Sequence, residues 1–344
     1  MNQRVCIVLL TGLGDVVNGL PIANALRRSG FARHITWVAE PVPARVLAQH
    51  PAIDDVVVFH KRDGVRGVRR LARELGQRDF DLAINLNVYI KSAWPTLLSR
   101  APRRLGFGPD RAREGVWLFE TEHVVPRKRA HTLDMFLEFL DHLGVPRKPV
   151  EWRITFSPEE QAARESFFAP LRDRPVVALV PASANRKKDW PATRFAAVAD
   201  ALVHEHGAHV VLVGGPSARE RQLAREIVEH AHVPIVDALG DDVRRMMWLI
   251  AGSDLVIAPD TGPLHVARAC EVPVIGLFGH TNPWRVGPYR KFQELWIDRY
   301  TDFGASPDPA SFDPKLGRME LITVDDVLQK VALALKSPLI RHGA

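Results

Sequence analysis

The sequence predicts an α/β chain built as two doubly wound units in tandem. Short apolar runs alternate with amphipathic helical stretches. The alternation stops in a polar, proline-containing region at 146–158 and then restarts. A length of 344 residues also exceeds what one hydrophobic core ordinarily organises.

In the first half, residues 5–10, 34–38, 55–59 and 81–85 are short runs, several enriched in Val and Ile and flanked by turn residues, as buried strands are. Helical stretches at 19–28 and 65–75 lie between them. In the second of these, Val65, Val68, Leu71, Ala72 and Leu75 recur at helical spacing, and Arg66, Arg69, Arg70 and Arg73 fall largely between them as a solvated face. After the interruption, strands are expected at 175–180, 209–213, 234–236, 254–258 and 274–278, with helices at 192–205, 218–231, 243–251 and 264–270. The division reads as 1–160, 174–322 and a last segment, 323–344, whose amphipathic helix at 324–335 could pack across either unit. The linker falls near 150–174, with 158–171 a possible helix of its own.

Composition excludes several classes. Hydrophobic residues at 46% and charged residues at 25% are ordinary for a globular chain. No apolar run is long enough to span a bilayer. The amino terminus is too short and has the wrong flanks for a signal peptide, so it reads as a first buried strand. Cys6 and Cys270 stand alone and give neither a disulfide framework nor a zinc site, which fits a reducing cytoplasm. Residues 1–150 hold 23 Lys and Arg against 15 Asp and Glu, an excess of +8, while the remainder carries −2. That asymmetry suits an anionic partner for the first half, although charge alone favours the plainer reading, a solubilising surface. Nucleic acid is not the expected partner: aromatic residues are only 8%, and the basic residues are scattered along helices.

In a parallel sheet, ligands bind beyond the carboxyl ends of the strands, so the loops there carry the chemistry. The first is Thr11-Gly12-Leu13-Gly14-Asp15-Val16-Val17. Position 17 is not glycine, so the dinucleotide fingerprint fails. Gly12 and Gly14 still permit a close backbone approach. Asp15, opening a helix whose dipole favours an ionised carboxylate, is placed to accept a proton from a hydroxyl; serving merely as an N-cap is the plain alternative. In the second half, Ser183-Ala184-Asn185-Arg186-Lys187-Lys188-Asp189-Trp190-Pro191 sets three cations before a helix start, a phosphate site or a solvated basic loop. Gly214-Gly215-Pro216-Ser217-Ala218-Arg219-Glu220 offers Glu220 to ribose hydroxyls, or as half of a capping box with Ser217. Asp260-Thr261-Gly262-Pro263-Leu264-His265 makes an anion cradle at a helix start, with His265 either a phosphate ligand or a structural histidine. Phe278-Gly279-His280-Thr281-Asn282-Pro283 is a further strand-end loop. No H-E-x-x-H, C-x-x-C, P-loop or nucleophile elbow occurs.

Taken in order, G-L-G-D-V-V, K-K-D-W-P, V-G-G-P, D-T-G-P-L-H and F-G-H-T-N-P resemble the lipopolysaccharide heptosyltransferases, glycosyltransferase family 9, from about residue 4 to residue 335. Lys91-Ser92-Ala93 and Arg103-Arg104-Leu105-Gly106-Phe107 resemble segments of that family's first domain. The resemblance implies the GT-B fold, two Rossmann-like domains facing a central cleft. The acceptor, reached through Gly12, Gly14 and Lys91, would lie on the first domain and the ADP-sugar on the second. It implies an inverting transfer of heptose from ADP-heptose to the Kdo/heptose–lipid A inner core, with no cofactor and no catalytic metal. Asp15 would be the base and Lys188 the cation relieving the diphosphate. Ser183 would contribute from the same loop, Glu220 would hold the ribose, and Asp260, Thr261, Gly262 and His265 would contact the nucleotide and its phosphates. A phosphorylated lipid A–core acceptor fits the basic first half and implies a cytoplasmic enzyme touching the inner membrane of a Gram-negative cell peripherally. The sequence departs from the family in three places. Asn85 and Asn87 stand where relatives often carry Asp and Gln, Ala184 replaces a hydroxyl residue, and Lys187 adds a cation, leaving either lysine able to serve. A relative using another sugar or acceptor, or a catalytically silent nucleotide-binding module, are the alternatives.

Overall fold

A computed structural model describes residues 2–336 except Pro126 and Asp241. The chain divides into two compact units, Met1–Thr155 and Phe156–Ala344.

The first unit holds β1 (Gln3–Val8), β2 (Ala32–Ala39), β3 (Asp55–Val58), β4 (Leu82–Asn85), β5 (Arg103–Phe107) and β6 (Glu122–Val124). They form one parallel sheet in the order β3-β2-β1-β4-β5-β6. Its helices are α1 (Leu13–Arg28), α2 (Pro41–Ala44), α3 (Gly64–Gly76), α4 (Ala93–Leu98) and α5 (Thr132–His142). Val5–Val8 and all of β4 are buried, so these strands read as continuous apolar runs rather than alternating ones. One expectation is corrected here. The first helix starts at Leu13, not at residue 19, and Gly12, not Asp15, is its N-cap. Glycines at 12, 14 and 19, poor helix formers, mask that first turn in the sequence. Gly19 is needed for packing: a Cβ there would stand 2.9 Å from the Trp37 ring of β2.

The second unit repeats the plan. β7 (Val176–Leu179), β8 (His209–Leu212), β9 (Val236–Asp237), β10 (Leu255–Pro259), β11 (Val274–Phe278) and β12 (Ile297–Asp298) run parallel in the order β12-β11-β10-β7-β8-β9. Its helices are α6 (Pro158–Phe168), α7 (Ala192–His206), α8 (Ala218–His230), α9 (Val243–Gly252), α10 (Gly262–Ala269), α11 (Pro283–Val286) and α12 (Val324–Lys336). The division places residues 156–173 in this unit. α6 opens with a capping box, Ser157 with Glu160, and Glu160 also binds the Arg244 guanidinium of α9 at 2.6 and 2.7 Å. α12 packs against α7 and β11 of its own unit, and the tail 337–344 lies outside the described residues.

Each sheet is wound outward in both directions from a central pair, β1 beside β4 and β7 beside β10. This is the doubly wound order whose ligands sit where the winding reverses. The segments after those four strands therefore hold the candidate site residues, except Glu220, which follows β8. Cys6 and Cys270 are free thiols, and burial pushes both up to about 12. No described helix is long and apolar enough to cross a membrane.

Candidate active site

The loops after β7 and β10 converge on one carboxylate. Asp260 directly follows β10 and is 7% exposed. Its Oδ2 accepts from Lys188 Nζ at 2.7 Å and from Thr281 Oγ1 at 2.8 Å, and its carbonyl accepts from Lys188 Nζ at 3.3 Å. His265 Nε2, in the first turn of α10, stands 3.6 Å from Oδ1. Burial would raise the Asp260 carboxyl, but the Lys188 charge and the His265 contact together hold it well below the usual carboxylate range. An ammonium has three donors, and Asp260 takes two of them. Lys188 is thus held beside the amino end of α10, where Thr261 is the N-cap and Gly262-Pro263 open the helix. A helix amino end and a lysine together make an anion site.

The loop carrying Lys188 is fixed by its own polar groups. Asn185 caps the short turn Arg186–Lys188 by accepting from the Lys187 N–H at 3.1 Å. Ser183 donates to the Asn185 carbonyl at 3.0 Å, and the Ser183 N–H donates to Asp189 at 3.1 Å. Arg219 binds both Asp189 and the Ser183 carbonyl. The side chain of Lys187 is exposed, so the structure brings Lys188, not Lys187, to Asp260. Glu220 lies in the first turn of α8, the helix that follows β8. Its carboxylate accepts from the Gly215 N–H at 2.8 Å and from Ser217 Oγ at 2.6 Å. Ser217 caps α8, accepting from the Glu220 N–H. Gly215 serves this fold-back, because a Cβ there would come 3.0 Å from the same carboxylate.

In the first unit, Gly12 caps α1 in open space and Asp15 sits in the first turn, half-buried, its N–H donating to the Gly12 carbonyl at 3.2 Å. Gly14 lies inside that same turn. Asn87, just past β4, accepts from the Leu10 N–H at 3.0 Å and donates to the Val8 carbonyl at 3.0 Å, fixing the exit of β1 into the glycine loop. Lys91, in the turn Ile90–Ser92, stands 3.6 Å from Glu40, which also pairs with Lys61 at 2.9 Å.

The sequence model of glycosyltransferase family 9 (heptosyltransferase) matches residues 68–302, about two-thirds of the chain. The chain belongs to glycosyltransferase family 9. The lipopolysaccharide core heptosyltransferase OpsX of Haemophilus influenzae is 28% identical over 294 residues, covering 85% of this chain and 84% of that protein. A family 9 glycosyl transferase from Veillonella parvula superimposes with a TM-score of 0.84 at 24% identity, covering 98% of this chain and 99% of the other. The Escherichia coli heptosyltransferase WaaC, solved with ADP-2-deoxy-2-fluoro heptose, matches with a TM-score of 0.72 at 20% identity over 96% and 99% of the two chains. The fold is GT-B, and the chain is a glycosyltransferase.

Sequence reasoning left several residues of this family 9 enzyme without a role. Thr281 bonds Asp260 from the F-G-H-T-N-P loop, and the motif itself was the available signal. Arg219 ties the loop carrying Lys188, bonding Asp189 from 30 residues away, which no local pattern reveals. Glu120 is the third. Asn85 donates to Ser92 Oγ at 2.9 Å and to Glu120 Oε1 at 2.7 Å, while its own oxygen accepts twice from Asn87. The Glu120 side chain is wholly buried against Gly106, where any Cβ would overlap its carboxyl. The nearest ring nitrogen, His123 Nε2, is 4.0 Å away and bonded to the Trp117 carbonyl at 3.0 Å. Burial pushes Glu120 up to about 8, against a partial lowering by Asn85.

At neutral pH the folded enzyme therefore holds Glu120 protonated, whereas the unfolded chain ionises it near 4.5. Stability is full below 4.5 and is lost as pH climbs to about 8, with a slope of at most about 1.4 kcal/mol per pH unit. Glu120→Gln keeps the bond from Asn85 and is expected to flatten that slope. Thermal melts across this window check it; parallel slopes in the two proteins would disprove the buried acid.

Proposed function

We propose that this glycosyltransferase moves a heptose from ADP-heptose to the inner core of lipopolysaccharide, with inversion and without a catalytic metal. Asp15 takes the proton of the acceptor hydroxyl as that oxygen bonds to the sugar's anomeric carbon. The bond from that carbon to the diphosphate oxygen breaks, and ADP leaves with the electron pair. Lys188, aided by the amino end of α10, balances the charge that develops on the diphosphate. Ser183, Lys187, Thr261, Gly262, Asp260 and His265 bind or position the nucleotide and phosphates, and Glu220 the ribose. Gly12, Gly14 and Lys91 meet the acceptor. The enzyme works in the cytoplasm, with peripheral contact to the inner membrane where a phosphorylated lipid A–core acceptor is displayed.

The observation that carries this reading is Lys188 fixed on Asp260 at the reversal of the second sheet's winding. A lysine so oriented is a preset countercharge for a diphosphate. The name of the Haemophilus relative and the ADP-sugar in the Escherichia coli neighbour support the donor and acceptor classes. A second reading, transfer to a different acceptor, is favoured by Asn85 and Asn87. Both are buried, Asn85 spent on Ser92, Glu120 and Asn87, and Asn87 on Asn85 and the backbone.

Calorimetric titration with ADP, GDP and UDP, with and without Mg²⁺, tests the donor. Selective ADP binding that ignores Mg²⁺ is the expected result. A preference for UDP or GDP, or a requirement for the metal, would refute the donor assignment.

A further inference from the structure

The first unit carries an apolar surface that the chemistry above does not use. In the continuous turn-and-helix 90–98, Ile90, Trp94 and Leu97 recur at spacings of four and three and share one face. All three are exposed, Trp94 by 58%. The short helix Val116–Phe119 packs against α4 and adds Leu118, 75% exposed. Two hydrogen bonds tie the flanking segments together, the Arg113 N–H to the Val88 carbonyl at 2.6 Å and the Ile90 N–H to Glu114 at 3.1 Å. Exposed large apolar side chains scattered singly need no explanation, but a contiguous group of them does.

The rim of this surface is basic. Arg113 and Arg100, the latter just past the end of α4, are exposed. α3 packs against α4 and turns Arg66, Arg69 and Arg73 to solvent. Two acids stand close by: Glu114, which accepts from the Ile90 N–H, and Glu40, which is paired with Lys61 and Lys91. A tryptophan among aliphatic side chains, ringed by arginines, is the composition that settles into the headgroup region of an anionic bilayer.

We propose that Ile90, Trp94, Leu97 and Leu118, with Arg100 and Arg113, form a docking surface for an anionic phospholipid membrane. Lys91, expected at the acceptor, belongs to the same turn as Ile90, so docking here brings the acceptor-side loop to the lipid surface. The functional sense of this rests on the proposed lipid-linked acceptor, whereas the binding itself is measurable without any sugar transfer.

The test is flotation of the full chain with phosphatidylcholine vesicles, with and without phosphatidylglycerol. Wild type is expected to float with the anionic vesicles only, and less as salt is raised. Trp94→Ser/Leu118→Ser and, separately, Arg100→Glu/Arg113→Glu should each lower the bound fraction about tenfold or more. A wild-type far-UV circular dichroism spectrum and melting temperature show that each variant is folded, and the arginine pair carries the test if the apolar pair misfolds. Wild type failing to float, or both variants floating like wild type, overturns the proposal. So does sedimentation showing a dimer that Trp94→Ser/Leu118→Ser abolishes, since the surface would then belong to a second copy. A wrong nucleotide preference would remove the proposed function while leaving the flotation result standing.

Discussion

Replacing Asp15 with alanine is expected to cut turnover by about 10²–10⁴-fold while leaving ADP affinity nearly unchanged. The prediction follows from where the carboxylate stands. It sits in the first turn of α1, just past Gly12, whose missing side chain leaves open space beside it. It belongs to the first unit, whereas the residues expected at ADP belong to the second. A base that acts only on the acceptor proton should change kcat and leave nucleotide binding alone. Asp15→Asn, which keeps the shape and loses the basicity, should be nearly as slow as the alanine variant. Steady-state rates beside ADP calorimetry decide the matter. An alanine variant that turns over at wild-type speed would strip Asp15 of the role.

Lys188→Ala is the second large effect, and it should appear in stability as well as in activity. Asp260 is buried and has Lys188 as its principal countercharge. Removing one partner of a buried ion pair typically costs about 3–5 kcal/mol. Donor affinity and turnover should fall with it. Lys187→Ala, at an exposed position, should stay within about 0.5 kcal/mol of wild type. Adding Asp260→Asn to Lys188→Ala should recover much of the lost stability, because the stranded charge is gone, without recovering turnover. Melting temperatures and rates for the four proteins separate the two jobs of the lysine. If Lys187→Ala proves the more damaging to turnover, the donor-side cation is Lys187 and the Asp260 pair is structural.

Much of the fold was legible because parallel strands buried on both faces must be continuous apolar runs. The run at 274–278 matches β11 end for end, and 209–213 overshoots β8 by one residue. β5 and β6 escaped because Arg103, Arg104, Glu122 and His123 interrupt their apolar pattern. In the folded chain Arg103 pairs with Glu122 at 2.6 Å across neighbouring strands, so the charges that hid the strands help join them. α5 went unread although Leu133, Phe136, Leu137 and Leu140 recur at helical spacing and bury against the first sheet's layer, where α5 meets α1. The site-bearing loops could be placed because the topology forces them to strand ends. Their wiring could not. Thr281 with Asp260, Arg219 with Asp189 and Asn85 with Glu120 are pairings between distant segments, and only the folded backbone brings them together.

Residues 318–322 bear on how the loop carrying Lys188 is made. Trp190, which ends the K-K-D-W segment, donates its indole N–H to the Ile322 carbonyl at 3.0 Å, and Arg194 reaches the Glu320 carbonyl at 2.7 Å. Gly279 admits the same stretch, since a Cβ there would lie 2.5 Å from the backbone of Arg318. During synthesis the first unit has its whole sequence once residue 155 has left the ribosome. The loop carrying Lys188 instead waits for residues 318–322, made more than a hundred residues later, before its anchor tryptophan has a partner. The loop carrying Lys188 thus gains this anchor only after residues 318–322 have been made.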